Sequence, residues 1–282
     1  MNDKLNRRKT LGKPFKKILI TGAAGRLGSE LRRGLAPLAD TLLLADMVEI
    51  KDLQPNEEAC IFDLGDEAAT IAATKGCDAI VHMGGAPHER PWQEVLDSNI
   101  RGSYHIYEGA RKHGVKRVVY ASSVHAIGYH KMGDHIPCDA RPRPDSLYGV
   151  SKCFVESLAS LYWDKFGIES ACVRIFSSFP EPADRRMLWS WLSFDDCCRL
   201  VTACLTAPHL GHTITVGMSD NKVKPVDMTN AGHLGFAPQD SSEPYRAELE
   251  AKTEVADPMA ASTQCIGGWF VDLGHPDDED QK

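Results

Sequence analysis

The stretch TGAAGRLG, residues 21–28, decides the fold of this 282-residue chain. It follows an apolar run that ends at Thr21 and precedes an amphipathic segment, so we predict that it joins a first strand to a first helix. Glycines at such a turn let backbone N–H groups approach a pyrophosphate, and the N-terminus of the helix favours its negative charge. Because glycine triplets also form ordinary turns, the rest of the chain has to support this interpretation.

Short apolar runs alternate with longer amphipathic stretches over residues 17–178. The alternation is typical of parallel strands joined by helices, and continuous apolar runs are typical of strands covered on both faces. We therefore predict an α/β fold, a Rossmann-type doubly wound parallel sheet. The predicted strands are 17–21, 41–46, 59–64, 78–84, 117–123 and 170–177.

One domain is predicted over residues 17–270, with a flexible basic leader at 1–16 and an acidic tail at 271–282. A long helix is predicted from Asp145, as its N-cap, to Phe166, where Gly167 can end it in the left-handed conformation. Beyond residue 180 the pattern changes to pieces punctuated by proline and glycine, with a helix near Ser193 and a strand over 213–219. We predict that residues 180–270 supply most of a small C-terminal lobe that covers the substrate.

The composition favours a small-molecule partner. A formal net charge of −7 argues against an electrostatic grip on nucleic acid or on an anionic membrane. The sequence lacks both a long apolar span and the apolar stretch of a secretory signal, so we predict a soluble, cytoplasmic protein. The nine cysteines include no C-x-x-C pair, so neither a disulfide framework nor a metal site is predicted. Adjacent Cys197 and Cys198 are interpreted as small core residues.

An acidic residue follows the glycine loop at the distance that a dinucleotide site requires. Asp46 closes the second predicted strand eighteen residues after Gly28, where its carboxylate can accept hydrogen bonds from an adenosine ribose. The same charge repels a 2′-phosphate, which favours NAD over NADP. Arg26 either pairs with such a phosphate or is an ordinary exposed arginine. Asp63, with Leu64 at the end of the third predicted strand, either holds the adenine amino group or is a turn aspartate.

Tyr148 and Lys152 lie four residues apart on the long predicted helix, which places the phenol and the ammonium on one face. Lowering a tyrosine pKa from about 10 by about three units takes about 4 kcal/mol. An ammonium about 4 Å away supplies roughly that amount at an effective dielectric constant near 20, so the pair can act as a base. Ser123, at the end of the fifth predicted strand, can hydrogen-bond both Tyr148 and a substrate hydroxyl. Asn99 either anchors backbone or a water relay near Lys152, or has no role in the site.

Longer segments carry a resemblance that covers nearly the whole chain. With the glycine loop and the residues above, it rests on PNEE (55–58), HMGG (82–85), SSVHAIGY (122–129), LYGVSKCF (147–154), PEP (180–182) and RM (186–187). The chain resembles the extended short-chain dehydrogenase/reductases, and within them most nearly the bacterial uronate dehydrogenases.

The resemblance implies oxidation of C1 of a cyclic hexuronate, such as glucuronate or galacturonate, to an aldaric lactone, with hydride transfer to NAD⁺. It also implies a homo-oligomer. The implied catalytic residues are Tyr148, Lys152 and Ser123. The implied cofactor-binding residues are Gly22, Gly25, Arg26, Leu27, Gly28, Asp46, Asp63, Leu64, Met83, Gly84, Gly85, Asn99, Tyr148, Lys152 and Ile175. The implied substrate-binding residues are Ser123, Val124, His125, Tyr148, Ser177 and Arg186, with the Arg186 guanidinium on the substrate carboxylate.

Alternatives stay open at this point. Arg186 can be a surface arginine and His125 a satisfied core histidine. Val124 stands where the family usually has asparagine, and Pro87 where it usually has serine, so an altered substrate choice is one interpretation. The competing functions are an aldose 1-dehydrogenase for neutral sugars, a nucleotide-sugar epimerase or dehydratase, and a non-catalytic NAD-binding sensor.

Overall fold

The computed structural model describes residues 12–278 and contains a seven-stranded sheet whose neighbouring strands are all parallel. The spatial order is β10-β7-β5-β4-β1-β2-β3. These strands are β1 (Phe15–Thr21), β2 (Ala39–Asp46), β3 (Glu57–Ile61), β4 (Ala79–His82), β5 (Arg117–Ser123), β7 (Glu169–Ile175) and β10 (His212–Gly217). Two further pairs are formed by β6 (Ile136–Pro137) with β11 (Val226–Asp227) and by β8 (Ser177–Ser178) with β9 (Trp191–Leu192).

Helices cover both faces of the sheet, so the predicted doubly wound α/β class is confirmed. On one face α1 packs against α7, and on the other α2 and α5 pack against α4. The helices are α1 (Arg26–Leu35), α2 (Glu67–Ala73), α3 (Trp92–Val95), α4 (Gly102–His113), α5 (Leu147–Phe166), α6 (Met187–Ser190), α7 (Phe194–Thr206), α8 (Arg246–Lys252) and α9 (Ala261–Gln264). A π-helical turn, Leu96–Arg101, joins α3 to α4, and a 3₁₀ turn, Gly268–Asp272, follows α9.

The strand order reverses between β1 and β4. The chain runs outward from β1 through β2 to β3, and then outward on the other side from β4 through β5 and β7 to β10. Ligands of open parallel sheets bind in the crevice beyond the carboxyl ends of the strands at such a switch point. The glycine loop after β1 lies at this crevice.

Helix α5 begins one residue later than the sequence predicted. Ser146, not Asp145, is its N-cap, because Ser146 has the extended backbone of a cap and its hydroxyl accepts a hydrogen bond from the Gly149 N–H at 3.0 Å. The predicted end is confirmed, since the helix stops at Phe166 and Gly167 adopts φ = +64°. Asp145 is free to contact a side chain elsewhere in the fold.

Strand β3 also differs from its prediction, which placed residues 59–64 in a strand. It spans Glu57–Ile61, on the edge of the sheet, because the chain turns away after Phe62. The Asp63 carboxylate accepts a hydrogen bond from the Gly65 N–H at 2.8 Å and so stabilises this turn.

Part of the stretch 180–270 belongs to the main layers of the fold, and part lies beyond the carboxyl ends of the strands. Helix α7 and strand β10 complete the main layers, whereas β8, β9 and the 3₁₀ turn Gly268–Asp272 lie near the carboxyl ends of the strands. Most of the predicted leader, and residues 279–282 of the predicted tail, lie outside the described residues. Strand β1 takes the last two leader positions, Phe15 and Lys16. Within residues 12–278, no helix is long and apolar enough to cross a membrane. Cys197 and Cys198 are buried in the core, as predicted.

Candidate active site

Two backbone loops meet at the switch point without room for side chains. Gly22 has φ = +67°, and a Cβ there would lie 2.8 Å from the nitrogen of Gly84 in the loop after β4. A Cβ on Gly28 would lie 2.1 Å from the Gly22 carbonyl oxygen. The glycine loop therefore needs glycine at both positions, and it presents the N-terminus of α1 to the crevice. Leu27, inside this loop, is half-buried against the core.

Two charged side chains, Asp46 and Arg26, flank the glycine loop. The Asp46 carboxylate accepts hydrogen bonds from the N–H groups of Ala24 at 2.9 Å and Met47 at 2.8 Å, which fixes it at the end of β2 beside the loop. The Arg26 guanidinium lies over the Phe179 ring, 4.2 Å from its centroid. Arg26 therefore bridges the glycine loop and the segment after β8, a placement that neither sequence interpretation described.

The loop after β4 is built around Asn99, which is buried in the π-helical turn. Its side-chain oxygen accepts from the Ala86 N–H at 2.7 Å, and its amide donates to the Ala86 carbonyl at 3.1 Å and to the Ser151 hydroxyl at 3.2 Å. Of the two predicted roles, the structure shows Asn99 anchoring backbone. A Cβ on Gly85 would lie 2.7 Å from the Asn99 oxygen, so glycine is required there as well.

The remaining predicted cofactor residues surround these loops. Leu64 is buried, and a Cβ on Gly84 would lie 2.9 Å from its Cδ1. Met83 is half-buried against the core beside Gly84. Ile175 pairs with Ser123 in the register of β5 and β7, which places it at the carboxyl edge of the sheet.

The predicted catalytic residues lie together at the end of β5. Tyr148, Lys152 and Ser123 are all buried, and the Ser123 hydroxyl is close enough to the Tyr148 phenol to lower its pKa. The Lys152 ammonium donates to the Ala121 carbonyl at 2.8 Å and lies 5.1 Å from the centroid of the Tyr148 ring. The i, i+4 spacing on α5 thus puts the amine beside the phenol, as the sequence predicted.

The electrostatics of this trio differ from the sequence prediction. Burial raises the pKa of Tyr148 to about 12, the Ser123 hydrogen bond lowers it in part, and the charge of Asp145 raises it. Burial also lowers the pKa of Lys152 to about 7, while the charge of Glu156 raises it. In the protein without its cofactor the tyrosine pKa is thus raised and not lowered, because the same apolar surroundings disfavour both charges.

A buried ion pair that the sequence reading missed lies behind Lys152. The Arg174 guanidinium makes two hydrogen bonds to the Glu156 carboxylate, at 2.9 and 2.8 Å, and Ser122 donates to the same carboxylate at 2.6 Å. Arg174 also donates to the carbonyls of Cys138 and Ala140. The only available signal was the position of Glu156, one turn after Lys152 on α5.

His125 is held by two neighbours that the sequence did not connect to it. Its Nδ1 lies 2.9 Å from the Asp145 carboxylate, and its ring stacks on Phe270 with the centroids 3.6 Å apart. The Tyr148 ring is 5.8 Å away in an edge arrangement. Because Asp145 occupies Nδ1, the other ring nitrogen is the one that can meet a ligand. Val124, in contrast, can contact a substrate only through its backbone, because its side chain is 2% exposed and packs in the core.

Arg186 is a cation without a carboxylate partner among residues 12–278. It donates to the Ser177 hydroxyl at 2.8 Å and to the Ile266 carbonyl at 2.7 Å, whereas its Nε is buried and has no hydrogen-bond partner within the described part of the chain. Burial lowers the pKa of its guanidinium, and the charges of Asp184 and Asp145 raise it. Such a group is stabilised by an incoming anion.

The segment 266–270 connects Arg186 to the catalytic trio. Ile266 accepts from Arg186, a Cβ on Gly268 would lie 2.6 Å from the Arg186 Nε, and Phe270 stacks on His125 beside Tyr148. These contacts link Arg186 and Ser177 through this segment to His125 and Tyr148, whereas the Val124 side chain faces the core. No group of three or more His, Cys, Asp or Glu side chains placed to hold a metal ion occurs within residues 12–278.

Comparison with known proteins identifies the family. The model of the NAD dependent epimerase/dehydratase family matches residues 18–192, which is more than half of the chain. The chain belongs to this family. The match includes the glycine loop, Asp46, Asn99 and the predicted catalytic residues Tyr148, Lys152 and Ser123, so the NAD dependence of the family agrees with the crevice described above.

Relatives within the NAD dependent epimerase/dehydratase family match almost the whole chain. A uronate dehydrogenase from Pseudomonas putida is 48% identical over 93% of this chain and 97% of its own length. The structure of a glucuronic acid dehydrogenase from Chromohalobacter salexigens is similar at a TM-score of 0.92, with 45% identity over 94% of this chain and 99% of that one. A mutant uronate dehydrogenase from Agrobacterium tumefaciens, complexed with NAD, gives a TM-score of 0.89 at 46% identity over 92% of this chain and 98% of that one.

Proposed function

We propose that this chain is an NAD-dependent uronate dehydrogenase, which oxidises C1 of a cyclic hexuronate such as glucuronate or galacturonate to the aldaric lactone. The observation that carries the proposal is Arg186. A partly buried guanidinium that has no carboxylate partner among residues 12–278, and that is joined through the segment 266–270 to Tyr148, is stabilised by an anionic ligand. The uronate dehydrogenases of 46–48% identity support the same substrate class.

In this proposal the residues of the crevice divide the work of one oxidation. Tyr148 accepts the proton of the C1 hydroxyl, and Ser123 holds that hydroxyl in line with the phenol. Lys152 supplies positive charge beside the developing phenolate. When bound, NAD⁺ supplies the hydride acceptor and a further positive charge. Since burial raises the pKa of Tyr148, the phenolate depends on all of these groups together.

Recognition of the acid group falls to Arg186 and its neighbours. A guanidinium can bind a carboxylate through two parallel hydrogen bonds, each contributing about 1.5 to 3 kcal/mol. A neutral sugar leaves the desolvated charge of Arg186 without a compensating anion, which costs free energy instead. Ser177, hydrogen-bonded to Arg186, and His125, held by Asp145, are proposed to contact the sugar ring.

The cofactor roles are proposed on the same geometry. The glycine loop receives the pyrophosphate, and Asp46 accepts the hydroxyls of the adenosine ribose. The Asp46 carboxylate disfavours a 2′-phosphate, so NAD is preferred to NADP. A cytoplasmic location, a homo-oligomeric state and a substrate-covering lobe drawn mainly from residues 180–270 remain predictions.

A substrate panel tests the proposal. Purified protein is mixed with NAD⁺ and, separately, with glucuronate, galacturonate, glucose or arabinose, and NADH absorbance is followed. We expect NADH with the uronates only, and none from Tyr148→Phe, which should still bind NADH. Turnover of the neutral sugars at equal kcat/KM would assign the chain to the aldose dehydrogenases. Absence of turnover with every sugar would favour the non-catalytic sensor.

A further inference from the structure

A short strap, residues 86–89, lies between β4 and α3 in the chain, and it is attached to the protein at both ends. The first attachment is Asn99, whose side chain accepts the Ala86 N–H and donates to the Ala86 carbonyl. The same Asn99 amide donates to Ser151, one turn after the start of α5. The strap is therefore bound to the catalytic helix at this end through a buried amide.

The second attachment is the carboxylate of Glu89, which reaches the first turn of α5. One oxygen accepts from the Leu147 N–H at 3.0 Å, and the other accepts from the Tyr148 N–H at 2.8 Å. These are the first two residues of the helix, whose N–H groups have no partner within the helix. A carboxylate is well suited to this position because helix N-termini carry a partial positive charge.

The contact is specific to the residue that carries the phenol. The next N–H along the helix, that of Gly149, is bound by Ser146, so Ser146 caps the helix without touching the strap. Glu89, fifty-eight positions before Leu147, instead joins the backbone of Tyr148 itself to a separate loop. Ser146 already caps the helix from the adjacent position, whereas Glu89 also ties the start of the helix to the strap.

The middle of the strap, Pro87 and His88, is exposed. Burial lowers the pKa of His88, and the positive charges of Arg90 and Arg26 and the neighbouring His125 lower it further. Since Arg26 belongs to the glycine loop and His125 to the proposed substrate site, His88 is near both. The positions of Pro87 and His88 depend on the two attachments.

We propose that Glu89 is a positioning residue of the reaction, which sets the distance between the Tyr148 phenol, Ser123 and the strap. The inference rests on the proposed function. The phenol must meet a substrate hydroxyl within hydrogen-bond reach, and displacements of about 1 Å in such a geometry can reduce rates by about 100-fold. Glu89 fixes the one backbone segment from which the phenol extends.

Kinetics of three variants test the inference. We expect Glu89→Ala to lower kcat with the uronate by at least tenfold, with the Kd for NADH changed less than twofold. Glu89→Gln keeps one acceptor oxygen in place and should recover part of kcat. The control is Glu94→Ala, which removes an exposed carboxylate. That carboxylate forms a surface ion pair with Arg90 at 3.6 Å and makes no hydrogen bond to the backbone of α5, so kcat should stay unchanged. Equal kcat for Glu89→Ala and Glu94→Ala would overturn the inference.

Amide hydrogen exchange gives a readout that does not need activity. In Glu89→Ala, faster exchange should be confined to the start of α5, at Leu147 and Tyr148, and to the strap. Exchange that increases over the whole chain, or that stays unchanged at these two amides, would contradict the positioning role. Exchange is measured on the folded protein without substrate, so it tests the Glu89 contact separately from the proposed function. If the wild-type protein did not oxidise uronates, the proposed function would be wrong, but the exchange rates of Leu147 and Tyr148 would still test the contact.

Discussion

The surroundings of Arg186 indicate that its ligand is an anion. Its Nη1 donates to the hydroxyls of Ser177 and Ser190, its Nη2 donates to the Ile266 carbonyl, and its Nε meets nothing within residues 12–278. A cation in such surroundings is costly unless an anion compensates it. The proposed substrate carboxylate supplies that compensation.

Replacement of Arg186 by alanine should therefore raise the KM for a uronate far more than the KM for any neutral sugar that the enzyme turns over. The loss of one or two charge-assisted bonds predicts an increase of about 10- to 100-fold. Steady-state kinetics on glucuronate and galacturonate measure it.

Arg185 provides the matched control for this prediction. Its guanidinium binds the backbone carbonyls of Thr253 and Glu250, away from Ser177 and Ile266. Arg185→Ala should leave the uronate KM within about threefold of wild type. If both arginine variants raised KM equally, the carboxylate contact would have to be placed elsewhere.

At the scale of elements, helix α5 carries the proposed catalytic pair and is bound to the rest of the fold at several points. It carries Tyr148 and Lys152 on one face, and its first turn is bound by Ser146 and by Glu89. Its buried Glu156 joins it to β7 through Arg174. The position of Tyr148 and Lys152, the proposed catalytic pair, is thus set at the start of the helix and again one turn after Lys152.

The N-caps of α5 and α7 give a matched pair of stability predictions. Ser146→Ala and Ser193→Ala each remove a hydroxyl that accepts the N–H three residues ahead, at 3.0 and 2.9 Å, and each should lower the free energy of unfolding by about 1 kcal/mol. Denaturant unfolding measures both. Amide exchange should increase at the start of α5 only in Ser146→Ala. The cap assignment of α5 fails if Ser146→Ala is as stable as wild type.

At the scale of the whole molecule, the free energy of unfolding should depend on the proton of Lys152. Burial lowers the lysine pKa from 10.5 to about 7 in the folded chain. Between these pH values the unfolded chain binds a proton that the folded chain does not, so this residue's contribution to stability rises with pH. Below pH 7 both states hold the proton, and the cost of burying the charge is fully present.

The free energy of unfolding of wild type minus that of Lys152→Met should therefore rise by about 2 kcal/mol from pH 7 to pH 9. Urea unfolding at several pH values measures it. The comparison with a variant is needed because buried thiols act in the opposite direction near the top of this range, since burial raises the pKa of Cys77 and of Cys198 to about 11. A difference that does not change with pH would mean that Lys152 titrates normally.

The sequence by itself determined the features that are local along the chain. The glycine loop, the apolar runs of β1, β5 and β7, and the spacing of Tyr148 and Lys152 depend on strand and helix periodicity, which a few residues encode. The parallel α/β class was therefore predictable. Element ends were less so, and Asp145 was mistaken for the cap because Asp145 and Ser146 both suit that position.

Only the tertiary structure decided which distant residues meet and which charges are buried. It stacks Phe270 on His125, brings Glu89 to the N–H of Tyr148 and leaves the Arg186 Nε without a partner. It also raises the pKa of Tyr148 and lowers that of Lys152. Such contacts join segments up to 145 positions apart, and desolvation depends on everything packed around a group, so no local pattern in the sequence encodes them.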